Sequence, residues 1–236
     1  MTDTYKLKGL RMQLVRELKN KGISDERILK AFEEIPRHYF LDKAFAEWAY
    51  RDVPFPIDAD QTISQPYTVA YQTELLDIKK SDRVLEIGTG SGFQACVLAH
   101  MGARVYTIER QEKLYIKTNA LLEKIGFTQV RTLFGDGYQG APRFAPFDKI
   151  LITAGAGKVP QALFDQLAVG GILVVPLGND DIQVMTKYTK ISENEIKTET
   201  FDHFRFVPFL PGVQNVVSEK KSNPGNQGNP FNKVSL

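Results

Sequence analysis

The feature that most constrains this 236-residue chain is the run Val84–Gly92, VLEIGTGSG. A short apolar segment ends in glycines at every second position, Gly88, Gly90 and Gly92, and a helix from about Gln94 to Met101 follows. Glycines at that spacing let the backbone pass close to a ligand and present N–H groups to it. A dinucleotide fingerprint needs G-x-G-x-x-G, and after Gly88 and Gly90 its third glycine would fall on Phe93. That speaks against a nicotinamide-dependent oxidoreductase. A tight strand-to-helix turn without a ligand is the plain alternative.

The flanking sequence predicts the layers. RVYTIE, VRTLF, FDKILIT and GGILVVPLG read as further strands, with helices over LYIKTNALLEKIG and VPQALFDQLAVGG between them. Strand–helix alternation at this spacing gives an α/β fold with a doubly wound, mostly parallel sheet. IQVMTKYTK and EIKTETFDHFRFVPF, separated by SENE, predict a closing antiparallel hairpin. Before the sheet, Leu7, Leu10, Leu14 and Leu18 mark one amphipathic helix. Ile28, Leu29, Phe32 and Ile35 mark a second, with Ser24 as its expected N-cap and Pro36 as its end. Residues 50–68 hold three prolines and no period, so they read as loop, and a helix resumes over Val69–Leu76. Trp48 and Tyr50 are expected to pack between the N-terminal helices and the sheet. The expected organisation is a single domain over 1–212, with helices and a site loop in 1–68 and the sheet in 69–212. Residues 213–236, rich in Asn, Gly, Lys and Ser, have the composition of a disordered tail.

Two more signals fall at strand ends. Glu109 closes the strand after the glycine turn, where an acidic residue accepts the ribose hydroxyls of an adenosine-containing ligand. The tripeptide Gly135–Asp136–Gly137 follows the next strand. Asp136 suits an adenine amino group, and the glycines admit a flat ring. Open α/β sheets bind ligands over this edge. Thirty basic and 28 acidic side chains nearly cancel, so no concentrated charge advertises a nucleic-acid partner. No apolar stretch reaches the ~18 residues of a membrane span, and the N-terminus lacks the apolar core of a secretory signal. One cysteine, Cys96, suits a reducing compartment and reads as a buried structural thiol. A cytoplasmic monomer without membrane attachment is expected. His38, His100 and His203 share no ligand spacing, so no metal site is expected.

Five blocks then resemble one family. They are TISQPY (Thr62–Tyr67), VLEIGTGSGFQA (Val84–Ala95), GDGYQG with APFDKI (Gly135–Ile150), GGILVVPLG and RFVPF. The glycine run has the E-x-G-x-G-x-G spacing of the S-adenosylmethionine-dependent methyltransferases. The set resembles the bacterial protein-L-isoaspartate O-methyltransferases, from about residue 6 to about residue 212. The resemblance implies S-adenosyl-L-methionine as methyl donor and S-adenosyl-L-homocysteine as product. It implies isoaspartyl residues of damaged proteins and peptides as acceptors, with the ester closing to a succinimide during repair. Ser64 is the serine the family holds essential. The implied donor-binding residues are Thr62, Gln65, Glu86, Gly88, Thr89, Gly90, Ser91, Gly92, Glu109, Arg110, Gly135, Asp136 and Gly137.

The acceptor is already anionic at neutral pH, so no general base is needed. Ser64 lacks a G-x-S-x-G elbow and is expected to position the acceptor, not attack it. The acceptor groove is expected beside residues 54–67 and near Phe206, Val207 and Pro208. Two departures from the family pattern, Ala141 and the TAGAG of Thr153–Gly157, bear on the pocket lining. The rival readings are a methyltransferase for another carboxylate or a small molecule, and a non-catalytic protein that keeps the fold.

Overall fold

The N-terminal helices bury the stripes their periodicity predicts. In α1 (Tyr5–Asn20), Leu7, Leu14 and Leu18 are buried together with Arg11, and in α2 (Glu26–Glu34) Ile28, Leu29, Ala31 and Phe32 are. The cap of α2 is Asp25, not Ser24: its carboxylate accepts the Arg27 N–H at 2.8 Å. A carboxylate there also meets the positive end of the helix dipole. Ser24 instead gives its N–H and hydroxyl to Glu74. Tyr50 is buried and its hydroxyl meets His38 Nδ1 at 2.6 Å. Trp48 stays 41% exposed, against Phe55 and the Arg51 guanidinium, because it lies on the outside of a short turn.

The structure is a computed structural model that describes residues 2–179 and 181–216. The expected 50–68 loop contains a small antiparallel pair, β1 (Phe55–Pro56) and β2 (Thr62–Ile63). Helix α3 (Pro66–Leu76) starts three residues earlier than Val69, at a proline that needs no N–H partner in a first turn.

The sheet is built from β3 (Arg83–Ile87), β4 (Arg104–Glu109), β5 (Arg131–Phe134), β6 (Phe147–Ile152), β7 (Leu167–Leu177), β8 (Gln183–Ser192) and β9 (Glu195–Phe204). Their order is β5-β4-β3-β6-β7-β8-β9. Pairs from β5 to β7 are parallel; β7–β8 and β8–β9 are antiparallel. Successive side chains alternate between two apolar layers. Val84, Val105, Leu151 and Val174 join the layer under α1 to α3 and α4 (Phe93–His100). Leu85, Ile87, Ile150, Ile152 and Leu173 join the other layer, which is thinner and covered by the short α6 (Gln161–Asp165) and neighbouring turns. Helix α5 (Glu112–Lys124) packs on β4 and β5.

One sheet expectation also needs correction. The predicted helix VPQALFDQLAVGG ends at Asp165, and Leu167 already pairs with Phe147 as β7 begins. Close packing decides it: a Cβ on Gly171 would lie 2.7 Å from the Ala168 oxygen and 3.0 Å from that of Asp148. The described residues run past 212 to 216. Gln214 bridges Gln111, its N–H donates to the Arg110 oxygen at 2.8 Å, and Val216 N–H reaches Glu112. The remaining tail, 217–236, lies outside the described residues.

Candidate active site

The glycine turn sits over the C-terminal end of β3. Gly88, Gly90 and Gly92 have φ of 100°, 52° and 85°. Gly88 admits no side chain: an added Cβ would lie 2.5 Å from Thr153 Oγ1, which donates to the Gly88 oxygen. Gly92 has a different task, since its Cβ would strike Thr118 and Leu122 of α5. Gly88, Thr89, Gly90 and Ser91 line a small cavity with Thr62, Ser64, Gln94 and Thr153. The β1–β2 hairpin folds over the turn, and Asp58 at its tip is held by Lys113 at 2.9 Å and Lys117 at 2.5 Å.

Two carboxyl groups flank the turn. Glu109 accepts the Gly90 N–H at 2.8 Å and the Gln111 N–H at 2.9 Å. Burial raises its pKa, against the pull of those two N–H groups. Glu86 is fully buried on the α4 side of β3, opposite Thr107. Neither of its oxygens has a hydrogen bond of normal geometry, and burial pushes the carboxyl up to about 8 despite the Thr107 hydroxyl.

Arg110, Glu109, Gly137, Ala154 and Phe209 surround a second small cavity. Gly137 lies under Phe209, whose ring would be 3.0 Å from an added Cβ. Gly135 and Asp136 stand outside this lining and shape the turn. Gly135 N–H donates to the backbone carbonyl oxygen of Glu109 at 3.0 Å, and the Asp136 carboxylate accepts the Tyr138 N–H at 2.9 Å. Arg110 reaches the other way, donating through Nε to the Gly212 oxygen at 3.0 Å.

A larger groove of about 620 Å³ opens beside these cavities, lined by Thr62, Ser64, Gln65, Tyr67, Phe206 and Val207 among others. Thr62, Ser64 and Thr153 line both this groove and the glycine-turn cavity, so Ser64 stands where the two meet. Gln65 lines the groove alone, with Nε2 donating to Asp52 at 3.1 Å. Of the expected groove residues, Phe206 and Val207 line it, whereas Pro208 belongs to the cavity beside Glu109.

Sequence reasoning missed Arg37 and Asp52, and of a third participant, the strap, it named only Val207 and Pro208. Residues 207–214 form a strap across the strand ends: Gly155 bonds Val207 and Phe209 at 2.8 Å each, and Phe209 stacks on Tyr138 at 4.3 Å. The RFVPF block was the available signal. Arg37 and Asp52, which hold the Ser64 loop from behind, had none. The departure at 153–157 docks the strap through Gly155, and Ala141 is buried with its N–H on Gln166. Among the described residues no group of three or more His, Cys, Asp or Glu could hold a metal ion.

These residues fit an adenosine-bearing amino-acid donor. Gly88 gives close backbone approach, and Glu109 is a strand-end carboxylate with acceptor capacity left over, whereas Glu86 is fully buried and lines neither small cavity. A mostly parallel sheet with that turn and those carboxylates defines a methyltransferase of the S-adenosylmethionine-dependent class. The profile of the protein-L-isoaspartate(D-aspartate) O-methyltransferase family matches residues 10–214, and the chain belongs to that family. A protein-L-isoaspartate O-methyltransferase of Christiangramia forsetii is 55% identical over 210 residues, covering 89% of this chain and 98% of that protein. A solved protein-L-isoaspartate O-methyltransferase superposes with a TM-score of 0.77 at 33% identity, over 84% of this chain; the match spans 65% of that structure's length. A solved structure from Plasmodium falciparum, in complex with S-adenosyl-L-homocysteine, has the same fold, with a TM-score of 0.73 at 24% identity over 84% and 97% of the two chains.

Proposed function

We propose that Ser64 orients the acceptor carboxylate where the groove meets the glycine-turn cavity. The reaction is methyl transfer to the free α-carboxylate of L-isoaspartyl residues in damaged proteins and peptides, which starts repair through a succinimide. S-adenosyl-L-methionine, when bound, supplies an electrophilic methyl group. The observation that carries the role is the shared position of Ser64 on both cavities.

The chain's own residues then have separate tasks. Glu109 and the backbone of Gly88–Ser91 would hold the donor, and Glu86, buried beneath the turn, would support it from behind. The groove beside Phe206 and Val207 takes the extended acceptor chain. The Ser64 hydroxyl donates to one oxygen of the acceptor carboxylate and leaves the other free to attack. A carboxylate is ionised at neutral pH, so positioning and exclusion of water carry the rate rather than proton transfer. Arg110 anchors the strap that encloses the site. The lone, buried Cys96 suits a reducing compartment and supports a cytoplasmic enzyme, and a monomer is the accompanying proposal.

The test uses methyl-labelled S-adenosylmethionine and two peptides that differ only in isoaspartate or aspartate at one position. Base-labile labelled ester should form on the isoaspartyl peptide alone. Donor binding without ester on either peptide would favour another acceptor.

A further inference from the structure

We infer that Arg37 is a positioning residue for methyl transfer: it fixes the Ser64–Gln65 peptide plane and thereby aims the Gln65 N–H at the acceptor carboxylate. The inference rests on the reading that this loop binds the acceptor.

Arg37 begins a short turn after Pro36 and is only 2% exposed. Its guanidinium lies 4.6 Å from the ring centre of Phe93, the first residue of the helix after the glycine turn. Nη2 donates to the Ser64 carbonyl oxygen at 2.7 Å, and Nε and Nη1 have no partner. Asp52 acts on it only through space. That carboxylate is already engaged by the Tyr67 N–H at 2.7 Å, Gln65 Nε2 at 3.1 Å and Lys21 Nζ at 2.5 Å. Burial lowers the Arg37 pKa to about 9, so the group remains a cation at neutral pH.

A buried cation with one hydrogen bond and no direct ion pair is costly, and an apolar side chain of similar size would fill the space at lower cost. What arginine adds is a rigid planar donor that stacks on an aromatic ring while its edge reaches a carbonyl. The carbonyl it holds is that of Ser64. The Ser64–Gln65 peptide is trans, so its C=O and N–H point to opposite sides of the chain. With the carbonyl drawn to Arg37, the Gln65 N–H points away from Arg37, and both Ser64 and Gln65 line the groove. That N–H has no hydrogen-bond partner among the described residues. Two donors, the Ser64 hydroxyl and the Gln65 N–H, thus belong to neighbouring residues that line one groove, and Arg37 and Asp52 grip the loop that carries them.

The test compares Arg37→Met and Arg37→Lys with the wild type in isoaspartyl-peptide kinetics, S-adenosylhomocysteine titration and thermal unfolding. Arg37→Met should lower kcat/KM for the peptide by about 10- to 100-fold, the scale of a displaced positioning group, and leave cofactor affinity within about twofold. Arg37→Lys, which keeps a donor without the planar stack, should recover part of that loss. Equal kinetics in all three proteins would overturn the inference. So would a loss of turnover, cofactor affinity and melting temperature together, with no rescue by lysine. A second measurement needs no variant. In wild-type protein saturated with S-adenosylhomocysteine, isoaspartyl peptide should move the Gln65 amide proton resonance downfield, and an unmoved resonance would overturn the inference. A wild type with no activity on the isoaspartyl peptide would instead count against the acceptor reading itself.

Discussion

The Gly90 N–H donates to Glu109 Oε2 at 2.8 Å, joining the glycine turn after β3 to the end of β4. The other oxygen of Glu109 accepts the Gln111 N–H at 2.9 Å. Each oxygen thus holds one backbone donor and keeps lone pairs free. The same carboxylate stiffens the turn and, in the proposed donor site, offers acceptors to ribose hydroxyls.

Glu109→Ala should therefore loosen the turn and the donor site together. Hydrogen bonds to a charged group contribute about 1.5–3 kcal/mol, so S-adenosylhomocysteine affinity should fall about 10- to 100-fold. Glu109→Gln keeps one carbonyl oxygen and should fall between. Calorimetric titration checks both. An alanine variant with wild-type affinity would remove Glu109 from the donor site.

Much of this architecture was legible because short-range signals agreed with the fold. Strand–helix alternation fixed the sheet, and the glycines were spaced for close approach. The signal ran out where tertiary contact decides. LAVGG has the apolar character of a helix end, yet its pairing with Phe147 and the crowding around Gly171 make it strand. Gln214 is held by backbone hydrogen bonds, which leave no side-chain signature. Arg37 reads as a surface charge until the turn after Pro36 is seen to fold it under Phe93. Of the residues expected at the donor site, the turn and Glu109 are joined by the Gly90–Glu109 hydrogen bond, whereas Gln65 lines the groove and Gly92 serves helix packing.

Glu86 should impose a pH dependence on stability. Its carboxyl is raised from the ordinary 4.5 to about 8 by burial. Between those values the folded protein keeps a proton that the unfolded chain releases. Stability should therefore fall as pH rises through this window and level off above it. Glu86→Gln, neutral and similar in size, should remove that slope and leave the variant a few kcal/mol more stable than wild type near pH 8. Thermal unfolding without cofactor, across pH 5 to 9, gives the difference directly. The raised Glu109 carboxyl is present in both proteins. Parallel curves would rule out a buried, proton-holding Glu86.

Phe209→Ala should weaken the strap before it weakens the core. The ring stacks on Tyr138 at 4.3 Å and covers Gly137, while its N–H pairs with Gly155 at 2.8 Å. Losing a mostly buried aromatic side chain should cost about 2–4 kcal/mol, with part recovered as the strap collapses. Amide exchange should accelerate first at residues 207–214, with β3 and β6 protected. S-adenosylhomocysteine affinity should fall, since the cavity beside Glu109 loses a wall. Uniform acceleration across the sheet would make Phe209 a core residue rather than part of a cover.

Ser64→Ala separates orientation of the acceptor from binding of the donor. Ser64 lines both cavities, but its carbonyl, not its hydroxyl, is the group tied to Arg37. Removing the hydroxyl therefore leaves the loop anchored, and melting temperature should change little. Donor affinity should also hold, because Glu109 and the backbone of the turn do not depend on that hydroxyl. The acceptor carboxylate loses one donor and gains freedom to rotate away from the line of attack. Loss of a positioned donor of this kind costs about 10²-fold or more in kcat. The deficit should not shrink as pH rises, since the hydroxyl orients an anion and carries no proton in the reaction. Single-turnover methylation of an isoaspartyl peptide at several pH values reads both effects. Full turnover in Ser64→Ala would end the positioning role. A deficit that disappears at high pH would point to proton transfer at this site.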